Sequence, residues 1–198
     1  MAVTRERFEQ GMSYDEYKAQ MTRNRERLEA NERDLQLTDA QLAPFKNLKQ
    51  PLNVLVLGED WCGDVIANLP ILARIAQESG KLNLRIFLRD QNLDLMDQYL
   101  KNGEFRSIPV FAFLDDNFNE VGRFIERPNS VTELRAQKRR ELFAQNPRFG
   151  SPDTPIDQLP EDVRTDLMQA TNAMREETAP FANREVVREL GEIAGRAA

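Results

Sequence analysis

Apolar and polar positions along the chain follow two periods, and the places where the period changes mark the elements. Residues 53–57, Asn-Val-Leu-Val-Leu, form a short, continuously apolar run rich in β-branched side chains. That is the pattern of a strand buried on both faces, as in a parallel sheet. Over 82–88 the pattern alternates: Leu82, Leu84, Ile86 and Leu88 fall on one side, Asn83, Arg85 and Phe87 on the other. A period of two predicts a second strand. The long amphipathic stretch 62–79 between them predicts a helix, so the three together read as a βαβ unit with the expected right-handed crossover. Leu93, Met96, Tyr99 and Leu100 predict a further helix, stopped by Gly103. Residues 109–114 and 121–126 are two more strand candidates, and the Asp115-Asp116-Asn117 loop between them is short enough for an antiparallel hairpin.

Helical signals dominate both ends. Ser13-Tyr14-Asp15-Glu16 matches a capping box, and Tyr14, Tyr17, Met21 and Leu28 follow at helical spacing, predicting one helix over about 13–31. Its remaining faces, crowded with Arg and Glu, read as solvated surface. Thr38 is placed to cap a short helix through about Leu48, ending before Pro51. Ser130-Val131-Thr132-Glu133 is a second capping box and predicts a helix to about Ala144. The basic side chains on that helix, Arg135, Lys138, Arg139 and Arg140, read first as a solvated face and second as a partner contact. A linker rich in Pro and Gly, 146–160, precedes a helical tail expected to break near Pro180, with Val163, Leu167, Met174, Val186, Leu190 and Ile193 as its apolar stripe. The organisation expected is a helical extension over 1–49, an α/β core over 50–145, and a linker with a helical extension over 146–198.

Composition narrows the chemistry. A chain of 198 residues, 40% hydrophobic and 30% charged, is long enough for one sizeable core and fits a soluble globular protein. No apolar run approaches the roughly 20 residues of a membrane span, and the N-terminus lacks the apolar region of a secretory signal. A net charge of -6 disfavours general nucleic-acid binding. The absence of histidine excludes Cys–His and Ser–His catalysis and argues against a zinc site, so neither a metal nor a cofactor is expected. One cysteine rules out an internal disulfide framework and fits a reducing cytoplasm.

That cysteine, Cys62, falls where the first strand hands over to the helix. There a thiol faces unsatisfied backbone N–H groups and the positive end of the helix dipole, which favour the thiolate. The alternative reading is a buried structural thiol, against which the preceding Gly58-Glu59-Asp60 suggests an exposed loop. Glu59, Asp60 and Asp64 place negative charge nearby and oppose the dipole.

The order β-α-β-α-β-β-α with a cysteine at the first turn of the first helix resembles the thioredoxin fold. Three local matches carry the resemblance: Trp61-Cys62-Gly63, Pro70 eight residues after Cys62, and Arg106-Ser107-Ile108-Pro109 opening a strand. It covers about 50–145 and implies an α/β thioredoxin-like architecture of mixed sheet flanked by helices. It further implies that Pro109 is cis and lies beside the thiol, that Cys62 is the nucleophile, and that Trp61, Gly63, Asp64, Ile108 and Pro109 contact substrate. Arg106 then stands close enough to offset part of the acidic charge. The departures are as informative. The position of the family's second cysteine holds Val65, the position of its buried acid holds Val56, and Asp64 replaces the motif's proline. An intramolecular dithiol cycle is therefore impossible.

Two functions follow from the resemblance. The first is a monothiol thiol–disulfide oxidoreductase, in which Cys62 attacks a protein or small-molecule disulfide and a low-molecular-weight thiol resolves the mixed disulfide. The acidic side chains around Cys62 weigh against glutathione in that role. The second is a redox-inactive binding module that uses its helical extensions to hold a protein partner or to form a homodimer. A peroxidase of this fold would need Pro and Thr where Leu55 and Glu59 stand, and a Cys-x5-Arg phosphate loop would need Arg where Asn68 stands; neither is supported.

Overall fold

A computed structural model describes residues 3–197. By contacts the chain divides into two compact units, one running up to Arg127 and resuming at Val186, the other Pro128–Glu185.

The first unit is built on a four-stranded sheet in the order β2-β1-β3-β4, with β1 Leu52–Gly58, β2 Leu82–Leu88, β3 Val110–Leu114 and β4 Glu120–Ile125. β1 and β2 are parallel, Val56 opposite Ile86; β3 runs antiparallel to both β1 and β4. The apolar run of β1 is buried almost throughout, because β1, like β3, is an inner strand with a neighbour on each side and side chains packed on each face. Asp115 closes the β3–β4 turn: its carboxylate accepts from the backbone N–H groups of Asn117 and Asn119, each at 2.8 Å.

Helices cover the sheet. α1 Arg5–Glu9, α2 Tyr14–Gln20, α3 Arg25–Asp34 and α4 Asp39–Lys46 precede β1; α5 Gly63–Ser79 and the single turn α6 Leu93–Met96 flank β2. The capping boxes at Ser13 and Thr38 are formed. The segment before α2 also pairs with the sheet: Met12 exchanges backbone hydrogen bonds of 2.9 and 2.8 Å with Ile86, covering the outer edge of β2. Val186, Val187, Leu190 and Ile193, from the last turns of α8 Glu161–Ala194, lie in the same core.

Several local expectations are corrected. The helix expected over 13–31 is two helices, because Met21 leaves the helical conformation and Asn24 takes φ 56°. Competition for backbone donors explains the break: the N–H groups of Thr22 and Arg23 go to the carboxylate of Asp60 at 2.8 and 3.0 Å. The helix expected from Leu93 stops at Met96. The box at Ser130 is not formed; α7 Asn129–Gln145 starts without a side-chain cap, and Ser130 Oγ donates instead to Glu185 at 2.7 Å. Pro180 lies inside α8, which does not break there.

The second unit pairs α7 with the first part of α8 around Phe143, Phe149, Val163 and Leu167. Arg148 bridges Asp162 and Asp166 across it at 2.5 and 2.6 Å. Lys138 pairs with Glu177 at 2.7 Å.

Candidate functional site

β1 ends at Gly58, and the next four residues turn the chain into α5. The turn is closed by the backbone N–H of Cys62 donating to the carbonyl of Glu59 at 3.2 Å. Cys62 itself is the N-cap of α5, in an extended conformation, and its carbonyl accepts the first helical bond, from Ile66, at 3.0 Å. No side chain caps this terminus, so the first-turn N–H donors open toward the space around the cysteine. Placement at the carboxyl end of a central strand follows the general position of sites in open α/β sheets.

The thiol is half-buried. It donates to the carbonyl oxygen of Ile108, with Sγ 3.6 Å away, and the Ile108–Pro109 peptide is cis. Ile108 and Pro109 are buried, so what they present beside the sulfur is main chain. The β3 ladder begins at Val110, leaving the Ile108 backbone outside it. Behind it, Glu126 donates its N–H to the carbonyl of Pro109 at 2.7 Å and accepts from Asn68 Nδ2 at 2.9 Å through its own carbonyl. This ties α5 to the Pro109 segment.

Trp61 is 44% exposed and Phe105 53%, two large apolar surfaces in the segments on either side of the thiol. Arg89 lies over the Trp61 ring, 4.9 Å from its centroid, and donates to the carbonyl of Arg106 at 3.2 Å. It thereby links the tryptophan to the Pro109 segment. Gly63, beside the thiol, adds no side chain to the approach.

The acidic side chains near Cys62 each have a structural partner, which the sequence pattern does not disclose. Asp64 is buried and ion-paired with Arg127; Arg127 also pairs with Glu126 at 2.7 Å, and Glu126 with Lys101 at 2.6 Å. Asp60 accepts from Thr22 Oγ1 at 3.2 Å as well as from the two amides of 22–23, while Asn24 donates to the Asp60 carbonyl at 2.8 Å. Glu59 is buried and accepts from the backbone N–H of Asp90 at 2.8 Å; burial pushes its pKa up, only partly offset by that hydrogen bond. The Gly58-Glu59-Asp60 segment is therefore covered rather than an exposed loop, because residues 22–24 lie on it. Arg106 forms a bidentate pair with Asp97, at 2.7 and 3.0 Å, which holds the Asp97 carboxyl below its ordinary value. The arginine that meets the acidic charge on α5 is Arg127, separated from Cys62 by 65 residues of sequence and invisible to local pattern.

Val65 and Val56 are fully buried among the core side chains. No group of three or more metal-ligating side chains exists among the described residues, and none of their helices is long and apolar enough to cross a membrane.

Comparison with known proteins fits this geometry. A crystal structure of a protein of unknown function from Pseudomonas aeruginosa superposes with a TM-score of 0.69 at 21% identity, over 100% of both chains. An HIV epitope-scaffold superposes with a TM-score of 0.63 at 19% identity, over 96% of each. At these identities the likeness is one of fold. No curated protein matches the sequence. The family model described as Thioredoxin matches residues 11–139, well over half of the chain, and with the mixed sheet and the Cys62 turn it shows that the chain belongs to the thioredoxin family.

Proposed function

We propose that the chain is a monothiol thiol–disulfide oxidoreductase of a reducing, cytoplasmic setting, with Cys62 as nucleophile. The observation that carries this reading is the seat of the sulfur: the N-cap of α5, half-buried, 3.6 Å from the Ile108 carbonyl. In the reaction the Cys62 thiolate attacks one sulfur of a protein or small-molecule disulfide, RS–SR′. A Cys62–SR bond forms, the RS–SR′ bond breaks, and R′S⁻ leaves with the electron pair and takes a proton from solvent. The thiolate of a low-molecular-weight thiol then attacks the R sulfur and displaces Cys62 as thiolate. One disulfide is consumed and one is made, so no further oxidant or reductant enters.

The Ile108–Pro109 main chain, outside the ladder, receives the substrate as an added extended segment. Trp61 walls one side, Gly63 allows close approach, and Asp64 contributes from the first turn of α5. The test is turnover of a model disulfide with glutathione, followed through glutathione reductase and NADPH, for the native protein and for Cys62→Ser. Turnover confined to the native protein supports the reading; equal rates for the two would end it.

A second reading, a redox-inactive binding module, is favoured by the exposed Trp61 and Phe105 together with a buried valine where a resolving thiol would stand. On that reading the same Ile108–Pro109 main chain holds an extended segment of a protein partner without turnover.

A further inference from the structure

The buried side of α5 is apolar except at Asp64 and Asn68. These two lie four residues apart, hence on one face of the helix, and they grip the same dipeptide just beyond the end of β4. Asp64 is ion-paired with Arg127, and Asn68 Nδ2 donates to the carbonyl of Glu126 at 2.9 Å. Glu126 is held in a left-handed conformation, φ 66°, which a residue with a Cβ rarely adopts. Such a conformation persists where its surroundings over-determine it. Here they are the Asn68 amide, the ion pairs of the Glu126 carboxylate with Lys101 and Arg127, and the Glu126 N–H, which donates to the carbonyl of Pro109 at 2.7 Å.

The contacts close a ring. From Cys62 Sγ it passes to the Ile108 carbonyl at 3.6 Å, along the chain to Pro109, across to Glu126, on to Asn68, and back through α5 to Cys62. Apart from the thiol, Asn68 supplies the one side-chain link. We propose that Asn68 is a positioning residue of this site: through Glu126 it sets how closely the Ile108–Pro109 main chain stands to the Cys62 sulfur. The inference rests on the reading of Cys62 as nucleophile and deepens it in two ways. The Ile108 carbonyl accepts from the thiol, which favours the protonated sulfur, so the tightness of the ring opposes the helix terminus in setting how much thiolate is present. The same main chain receives the extended part of a substrate, so the ring also fixes where that segment lies relative to the attacking sulfur. A peptide disulfide feels that placement, whereas a small disulfide with no main chain to pair does not.

The test uses Asn68→Leu, which keeps a side chain of similar shape without the donor, and Asn68→Ala, which removes both. An effect shared by the two belongs to the amide rather than to packing. The first readout is the pH profile of Cys62 alkylation by iodoacetamide, followed by intact mass, with Cys62→Ser as the blank. The apparent thiol pKa should fall by about half a unit in both variants, hence about threefold more thiolate at pH values below both midpoints. The charged groups around the sulfur are Glu59, Asp60, Asp64 with Arg127, Glu126 with Lys101, Arg89 over Trp61, and Arg106 with Asp97, and both variants keep them all. The second readout is turnover, at a pH above the midpoints, of a short extended peptide disulfide and of hydroxyethyl disulfide, with glutathione and its reductase. KM for the peptide disulfide should rise roughly 3–10-fold, the worth of about one hydrogen bond, while kcat for both and KM for the small disulfide hold. Superimposable thiol profiles overturn the proposal, as do equal losses on the two disulfides. Lowered midpoints in a protein that turns over neither disulfide would leave Asn68 in this role and remove the oxidoreductase reading; turnover with superimposable profiles would do the reverse. Should neither variant fold, the native protein decides. A mixed disulfide of Cys62 with the peptide should shift the Asn68 side-chain amide signals in a nitrogen–proton correlation spectrum further than one with mercaptoethanol does, and equal shifts overturn the proposal.

Discussion

Val65 is wedged against Gly58: a Cβ placed on Gly58 would lie 3.1 Å from Val65 Cγ1 and 3.3 Å from Cγ2. The end of β1 and the first turn of α5 thus approach so closely that a methyl group on Gly58 would press the buried Val65 side chain back by a few tenths of an ångström. Gly58→Ala should lower stability by about 1–3 kcal/mol through overpacking. Val65→Ala in the same chain should recover part of that loss, since the two sites share one contact. Urea unfolding of both single variants and the double variant measures the coupling; additive effects would mean the contact carries no energy.

Val65 also sits three residues after the nucleophile, and Val65→Cys probes whether the turn still supports dithiol chemistry. Residues three apart on a helix have Cβ atoms about 5–6 Å apart, whereas a disulfide needs about 3.5–4.5 Å. Cys62 is extended rather than helical, with φ -84° and ψ 117°, which leaves it room to close the gap. Mild oxidation of Val65→Cys should therefore give a mass loss of two hydrogens and block alkylation of Cys62. The oxidised variant should be reducible by a dithiol and recycle as a disulfide reductase. A variant that stays reduced, with Cys62 still alkylated, would show that the buried side of the turn is closed to the reaction.

Asp60 holds the junction of α2 and α3 to the thiol turn through three hydrogen bonds from Thr22 and Arg23. Hydrogen bonds to a charged acceptor contribute roughly 1.5–3 kcal/mol each when well made, but these share one carboxylate oxygen. Asp60→Ala is accordingly expected to cost about 2 kcal/mol in all. Its local signature should be faster trypsin cleavage after Arg23 and Arg25 under native conditions, at equal protease dose. Unchanged cleavage in a variant of lowered stability would place the effect elsewhere.

How legible all this is in the sequence depends on how local the cause is. β1, β2 and α5 announce themselves because their burial is written into consecutive residues: the β-branched run 53–57, the alternation of 82–88, and the helical spacing that ends at Gly80, whose φ of 64° closes α5. The seat of Cys62 follows from that handover. What stays hidden is set by partners distant in sequence. The break at 21–24 comes from a carboxylate 37–38 residues away, and a helical stripe of Tyr14, Tyr17, Met21 and Leu28 carries no trace of it. Asp64 reads as negative charge beside the thiol until Arg127 is seen paired with it. Tyr17 reads as one more core aromatic, because periodicity reports which face is buried and says nothing of a hydroxyl left without a hydrogen-bond partner among the described residues. Ser130 has the right spacing for a capping box, but α7 already begins at Asn129 and the Ser130 hydroxyl donates to the Glu185 carboxylate, a distant acceptor that spacing alone does not disclose.

Glu59 supplies a pH dependence of known sign. Its carboxyl is buried, and burial raises its pKa above the ordinary 4.5 despite the hydrogen bond from Asp90. The folded protein therefore binds the Glu59 proton more readily than the unfolded chain does. Between 4.5 and the raised folded value the folded state holds more of this proton, so this residue's contribution to stability falls as pH rises through that window. Above it, the cost of burying the charge is present in full; below 4.5 both states are protonated and the cost is gone. Glu59→Gln keeps an oxygen to accept from Asp90 and removes the charge. The variant should thus unfold at higher temperature than the native protein at pH 7, with the gap closing as pH is lowered toward 4. Thermal melts of both proteins across that range measure it. A gap that is constant with pH would show that the gain comes from packing, and a gap that widens on acidification would show that the folded carboxyl titrates below the unfolded one.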